Sequence, residues 1–129
     1  MSSWSSDEFA QIEATDELEL AALRRDGTLR KPVTIWVVRL GDDLYVRSAY
    51  GRTSAWFRGT QVRHEGHIQA GGVDKDVTFV DADHDLDEQI DAAYRTKYCR
   101  YSASFINYMV SPEARATTLK LVPRSCKET

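Results

Sequence analysis

Cysteine is scarce in this chain of 129 residues: Cys99 and Cys126 stand alone, without CxxC spacing. A disulfide framework or a zinc knot needs more thiols at closer intervals, so both read as structurally incidental. Histidine is nearly as scarce. His64 and His67 form an H-x-x-H pair on a segment read as extended, and residues three apart on a strand face opposite ways. His84 is alone in an acidic loop, so no metal site is expected. Also missing is any apolar run approaching the roughly 18–20 residues of a membrane span. The first residues, MSSWSSDEF, carry neither the basic region nor the apolar core of a secretory signal, which makes the cytoplasm the expected compartment. GxSxG, GxxxxGK[ST], HExxH and GxGxxG do not occur. No spacing supports pairing Ser48, Ser54 or Cys99 with a distant histidine. The carboxylates at Asp81, Asp83, Asp85 and Asp87 sit at a helix start, where capping and solvation account for them.

What the chain does have is a basic centre. Before Arg24 there are six carboxylates and no Lys or Arg, and Arg24–Arg63 then carries nine basic residues against three acidic ones. Glu65–Asp91 reverses the balance, with nine carboxylates and one lysine, and the remainder is again net positive. The total of −3 therefore hides a local positive field, which is what an anionic ligand would meet. Nucleic acid is a poor fit, because the chain is acidic overall and the basic stretch has acidic neighbours. With 42% hydrophobic and 29% charged residues the chain is an ordinary globular one, read as a single domain over 1–129 with residues 1–6 as a flexible N-terminus.

In chain order, Ser5 and Glu8 have the form of a capping box, predicting a helix over about 7–14, with Trp4 a loose terminal anchor. Alternation predicts a strand at Leu18–Leu23 and a turn at Asp26-Gly27. Val33, Ile35 and Val37 share one strand face, while Thr34, Trp36 and Val38 share the other. Both faces are mostly apolar, as in a strand buried on two sides. Gly41-Asp42-Asp43 supplies a hairpin loop, and the return strand, Leu44–Ser48, turns Leu44 and Val46 inward. Residues Ser54, Trp56 and Phe57 suit a short helical turn. Strands are then predicted at Gln61–His64, His67–Ala70 and Val73–Val80. The clearest helix starts at Asp83 or Asp85, with the stripe Leu86, Ile90, Tyr94, Tyr98 and Tyr101 along one face. A stripe of this kind is more often packing than a cofactor wall. One more helical turn at Phe105–Met109 ends at Ser111-Pro112, and Thr117, Leu119 and Leu121 alternate in a final strand.

The end of the hairpin is where chemistry could lie. Arg47 and Ser48 close a buried strand, and Tyr50-Gly51-Arg52-Thr53-Ser54 follows. Glycine lets backbone amides approach an anion, hydroxyls donate hydrogen bonds, and arginine grips phosphate with two. Trp56 either covers a planar ring or plugs the barrel mouth. The alternative is that these arginines are a solvated strand edge and Trp56 is core.

The stretches RRDGTLRKPVTIWVVR, DDLYVRSAYGRTSAWFRG, EGHIQAGGV, IDAAYRTKY and TTLKLVPR resemble the DUF2255 family of small bacterial proteins over about Phe9–Arg124. More distantly, the middle resembles the FMN-binding split-barrel proteins, including deazaflavin-dependent nitroreductases. In those, a strand–turn–strand leads to a Ser/Gly-rich loop and an aromatic W-[YF]-x-N-like element lying along the cofactor. Here that element reads Ser54-Ala55-Trp56-Phe57-Arg58-Gly59, with Arg58 departing from the more neutral motif. The resemblance implies an α+β fold: a mostly antiparallel split β-barrel with peripheral helices, commonly a homodimer with cofactor sites at the subunit interface. It further implies FMN or a deazaflavin, with Arg47, Ser48, Gly51, Arg52 and Ser54 holding a phosphate. Trp36, Trp56 and Phe57 would line the ring wall. The implied activity is hydride transfer to a small organic substrate, with Tyr98 or Tyr101 as proton donor. A cofactor-free small-molecule-binding protein on the same barrel is the alternative.

Overall fold

The computed structural model describes residues 4–49 and 51–124. Met1–Ser3 of the expected flexible N-terminus, Tyr50 and Cys126 lie outside those residues. Helix α1, Ser6–Glu13, starts with the expected capping box: the Ser5 hydroxyl accepts from the Glu8 amide at 3.1 Å, and the Glu8 carboxylate accepts from the Ser5 amide at 2.8 Å. Trp4 corrects the terminal-anchor expectation. It is 6% exposed in the barrel core, and its indole N–H donates to Leu121 O at 3.0 Å. An indole beside a strand carbonyl buries its body and satisfies its one donor together.

The strands are β1 (Glu17–Ala22), β2 (Val33–Trp36), β3 (Val38–Leu40) and β4 (Asp43–Val46). Helix α2 (Ala55–Arg63) follows, then β5 (Glu65–Ala70) and β6 (Val73–Asp81). Helices α3 (Asp87–Lys97), α4 (Ala103–Met109) and α5 (Pro112–Arg115) precede β7 (Leu119–Pro123). All pairings are antiparallel, in the order β2-β1-β5-β6-β7-β4-β3. Since β2 and β3 are the two ends of that order and adjoin in sequence, one extended run, residues 33–40, closes the sheet into a nearly complete barrel. The fold is the α+β split barrel expected, and near-closure shortens the open edges a seven-stranded sheet would otherwise expose.

The closing run changes partner at Val37. Its first half pairs with β1 and its second with β4. Side-chain alternation survives the change. Val33, Ile35 and Val37 pack on the barrel core, while Trp36 and Val38 face the helices outside. The main-chain groups of Val37 leave the ladder and are met by side chains instead. Its amide donates to the Tyr98 hydroxyl at 3.0 Å, which in turn donates to Asp16 O at 2.6 Å, and Lys97 Nζ donates to Val37 O at 2.8 Å. Burial lowers the Lys97 ammonium to about 8, with Glu13 opposing. Both halves of the Val37 peptide are thereby satisfied.

Helix α1 covers one barrel end with Phe9 and Ile12, and α2 reaches the core at the other with Phe57. Helices α3 and α4 pack Ile90, Tyr94, Tyr98, Ile106 and Met109 on the outward Val38 and Tyr45. The long stripe was therefore packing, as expected, though the helix ends at Lys97 and Tyr101 lies beyond it. Two further expectations are corrected. Residues 61–63 are the last turn of α2, not a strand, and His64 caps it in the left-handed region, φ 59, with its amide on Thr60 O. The β2 stretch is an edge, with Thr34 exposed, not a strand buried on two sides. Its apolar outer face serves α3, α4 and a cleft. Among the described residues no helix is long and apolar enough to cross a membrane.

Tyr98→Phe keeps the ring and leaves the buried Val37 amide without its acceptor. We expect a loss of about 1–3 kcal/mol, read as a lowered urea midpoint at unchanged slope.

Candidate functional site

Antiparallel pairing of β3 with β4 begins at Val38 and Tyr45. Extending that register would set Trp36 opposite Arg47 and Thr34 opposite Ala49, but the strands part there, because β2 has moved to β1. The gap is a cleft of about 470 Å³. One wall is β2 from Val33 to Trp36; Arg47 and Ala49 form the other, Ser54 and Trp56 stand at the start of α2, and Tyr101 before α4 closes it together with Phe105, Tyr108 and Met109 of α4. Phe105 and Tyr108 are 59% and 52% exposed. The lining is mainly aromatic and aliphatic.

Trp36 is held from behind. Its ring stacks on Tyr98 with centroids 3.9 Å apart and planes 4° apart, and Tyr101 tilts against it at 5.1 Å. Trp56 packs edge-on against Phe57 at 6.2 Å. Phe57 itself is buried in the barrel core, outside the cleft. Of the ten residues the sequence singled out, Trp36, Arg47, Ser54, Trp56 and Tyr101 meet around the cleft.

The other five lie outside the cleft lining, and Arg47, though part of that lining, has its charge paired, which strand parity explains. Arg47 is two residues past Tyr45 and takes the same outward face, under α3. Its side chain is fully buried. NH1 donates to Asp91 Oδ1 at 2.5 Å and to Met109 O at 3.0 Å, Nε donates to Thr118 Oγ1 at 2.8 Å, and NH2 donates to Asp87 O at 3.2 Å. Arg115 binds the second oxygen of Asp91. The cleft floor is therefore arginine by residue and neutral by charge. Burial alone would raise the Asp91 carboxyl, but hydrogen bonds from Arg115 and Arg47 outweigh it and hold the group below the usual range.

Of the expected phosphate-holding set, Ser48, Gly51 and Ser54 lie together, while Arg47 faces Asp91 and Arg52 lies over Phe57. The Gly51 amide, at φ +77 in the 3-10 turn Gly51–Thr53, donates to Ser48 O at 3.1 Å, and the Ser48 amide donates to Thr117 Oγ1 at 2.8 Å. Arg52 is exposed, with NH1 on Ala116 O at 3.3 Å and its guanidinium over the Phe57 ring. The Ser48 and Ser54 hydroxyls are hydrogen-bonded at 2.6 Å, with Ser54 at the cleft. Tyr98 is sealed behind Trp36, and burial pushes its hydroxyl well above the ordinary tyrosine range. Tyr101 donates to Asp16 Oδ2 at 2.8 Å from the cleft rim.

A family model described as uncharacterized protein conserved in bacteria, DUF2255, matches residues 8–121. The chain belongs to the DUF2255 family. No curated protein sequence matches it. Solved structures share the fold at low identity. The heme storage protein HutZ from Vibrio cholerae is 14% identical, with 93% of this chain and 90% of that one covered at a TM-score of 0.62. An F420 reductase is 16% identical over 89% and 90%, TM-score 0.55. A FAD and heme binding protein from Mycobacterium smegmatis is 18% identical over 92% of this chain and 65% of that one, TM-score 0.50. The split-barrel likeness is thus general in fold and distant in sequence.

Sequence reasoning missed the α4 side of the cleft in this DUF2255 chain. Phe105 and Met109 are four apart and so share a helix face, but nothing local says which barrel opening that face meets.

Arg47→Met leaves Asp91 buried with one partner fewer, at an expected cost of about 3–5 kcal/mol. Because Asp91 is held below its unfolded value, its contribution is complete above about pH 4. It fades as pH falls through the depressed value. Urea titrations from pH 3 to 7 should show that acid loss flattened in Asp91→Asn.

Proposed function

We propose that this DUF2255 protein holds a planar flavin-type ring in the cleft between Trp36 and Trp56 and acts as an oxidoreductase on a small organic substrate. The observation that carries the reading is the aromatic cleft at the barrel split, of a volume typical for cofactor-sized ligands. The barrel's likeness to an F420 reductase and to a FAD and heme binding protein supports it. The residues fit such a ring. Two tryptophans and Tyr101 offer flat apolar surface, Thr34 and Ser54 offer hydroxyls, and no buried unpaired charge faces the interior. When bound, a flavin or deazaflavin supplies hydride chemistry, and the protein supplies position and electrostatics.

The chain's own residues then have definite tasks. Trp36 is locked by its stack on Tyr98 and forms a rigid face. Arg47, neutralised by Asp91, fixes the floor without attracting water or ions into it. The Ser54 hydroxyl, backed by Ser48, is the polar group placed to hydrogen-bond a ring heteroatom. Tyr101, paired to Asp16, is the group at the rim placed to hold a proton for a substrate. The same reading includes a homodimer in the cytoplasm.

A second reading, a cofactor-free binder of small planar molecules, is favoured by the spent charge of Arg47. Titration of the whole chain with FMN and with a deazaflavin, followed by tryptophan fluorescence and visible absorption, separates the two. Saturable quenching by at least one of them is expected, weakened tenfold or more in Trp56→Ala. No binding of either overturns the flavin reading.

A further inference from the structure

Arg47 and Arg52 leave part of the chain's positive field unassigned, and three of its basic residues, Arg24, Arg30 and Lys31, meet at one place. A second cavity, about 250 Å³, lies on the other side of Trp56 and Val33, both of which line the aromatic cleft as well. Its polar lining is Arg24, Arg30 and Lys31, and Ala55 at the first turn of α2 completes the rim. Among the described residues neither Arg30 nor Lys31 has an ion pair with a carboxylate. Three like charges in one small cavity repel, and an anion removes that cost.

The basic groups are positioned by the chain and not merely scattered over its surface. Residues 23–29 fold back as a small hairpin: Leu23 bridges Leu29, and the Arg24 amide donates to Thr28 O at 2.8 Å. Arg24 NH1 is fixed on Leu29 O at 2.9 Å and on Thr28 Oγ1 at 3.3 Å. Asp26, the one acidic residue of this hairpin, accepts two hydrogen bonds from Thr28 and also feels the charge of Arg24, which leaves Arg30 and Lys31 as the uncompensated pair. Arg30 is anchored by its amide on Ala22 O at 2.9 Å, and its half-buried arm lies across α2 at Gly59. A Cβ at Gly59 would come within 3.0 Å of Arg30 Cδ and Nε, so the missing side chain is what lets the arm lie there. Ser54 makes no side-chain cap on α2, which leaves first-turn amides at the same rim without that partner.

We infer that the cavity of Arg24, Arg30 and Lys31 binds a phosphate or phosphate ester, the anionic arm of the ligand whose ring lies across Trp56 in the aromatic cleft. The ring half of this statement rests on the reading proposed above; the anion half rests on the cavity. It moves the anion site from Arg47 and Arg52 to the start of the same basic stretch. Trp56 becomes the divider between an apolar compartment and a charged one.

The test compares FMN, riboflavin (the same ring without phosphate) and inorganic phosphate on the full chain. Fluorescence reads the flavins, and amide NMR shifts read phosphate. Wild type should bind FMN at least tenfold more tightly than riboflavin. The double variant R30E/K31E should abolish that preference and leave riboflavin affinity unchanged, with R30Q/K31Q as a milder companion and circular dichroism verifying the fold. Equal affinity for both flavins in wild type, or an equal loss of both in the variants, overturns the inference and leaves the ring reading intact. If neither FMN nor riboflavin binds, the FMN form of the ring reading fails alone and phosphate decides. Shifts at Arg30, Lys31 and Trp56 that vanish in the variant support the anion cavity; their absence in wild type overturns it.

Discussion

A single extended run that belongs to two sheet edges governs this molecule. Residues 33–40 pair with β1 before Val37 and with β4 after it. The main-chain groups released at the change would be costly if left bare in a barrel wall. Tyr98 and Lys97 meet them from α3 and from its C-terminal cap, so the helical layer outside the barrel is coupled to its closure. The same change of partner opens the cleft: β2 cannot stay beside the end of β4 once it has moved to β1. Closure and cavity have one cause.

Parity then sorts the charges. A strand alternates its faces, and the face Arg47 inherits from Tyr45 lies under α3. A guanidinium there has to find carboxylates, and Asp91 and Asp87 supply them from successive turns of the helix. The pairing withdraws the strongest charge of the hairpin from ligand chemistry and keeps the cleft apolar. Arg30, outside the barrel wall and lying over Gly59, keeps its charge available. One basic stretch of sequence thus yields a structural arginine and a separate group, Arg24, Arg30 and Lys31, around a second cavity.

Much of the architecture was legible in local pattern. The capping box at Ser5, the alternation through 33–38, the hairpin at Gly41 and the helical stripe through Tyr98 are short-range physics, and each formed where the pattern placed it. Residues 61–63 were misread because three residues can satisfy either period. Trp4 was misread because its partner, Leu121, is 117 residues away. The site was half legible for the same reason. Aromatics at Trp36 and Trp56 announced a wall, but whether an arginine is a ligand or a strut depends on what covers it.

The sequence by itself determined the element periods, the Ser5 cap and the Gly41 turn, which depend on neighbours within a few residues, and the family and the basic centre, which are read along the linear chain without any fold. Only the tertiary structure decided which edge β2 joins, which face of β4 is covered, and therefore which arginines keep their charge. Those choices depend on contacts between residues far apart in the chain, such as Arg47 with Asp91 and Tyr98 with Val37. No local pattern encodes them, because the partner and cover that decide whether a charge is spent or left for a ligand come from distant parts of the chain.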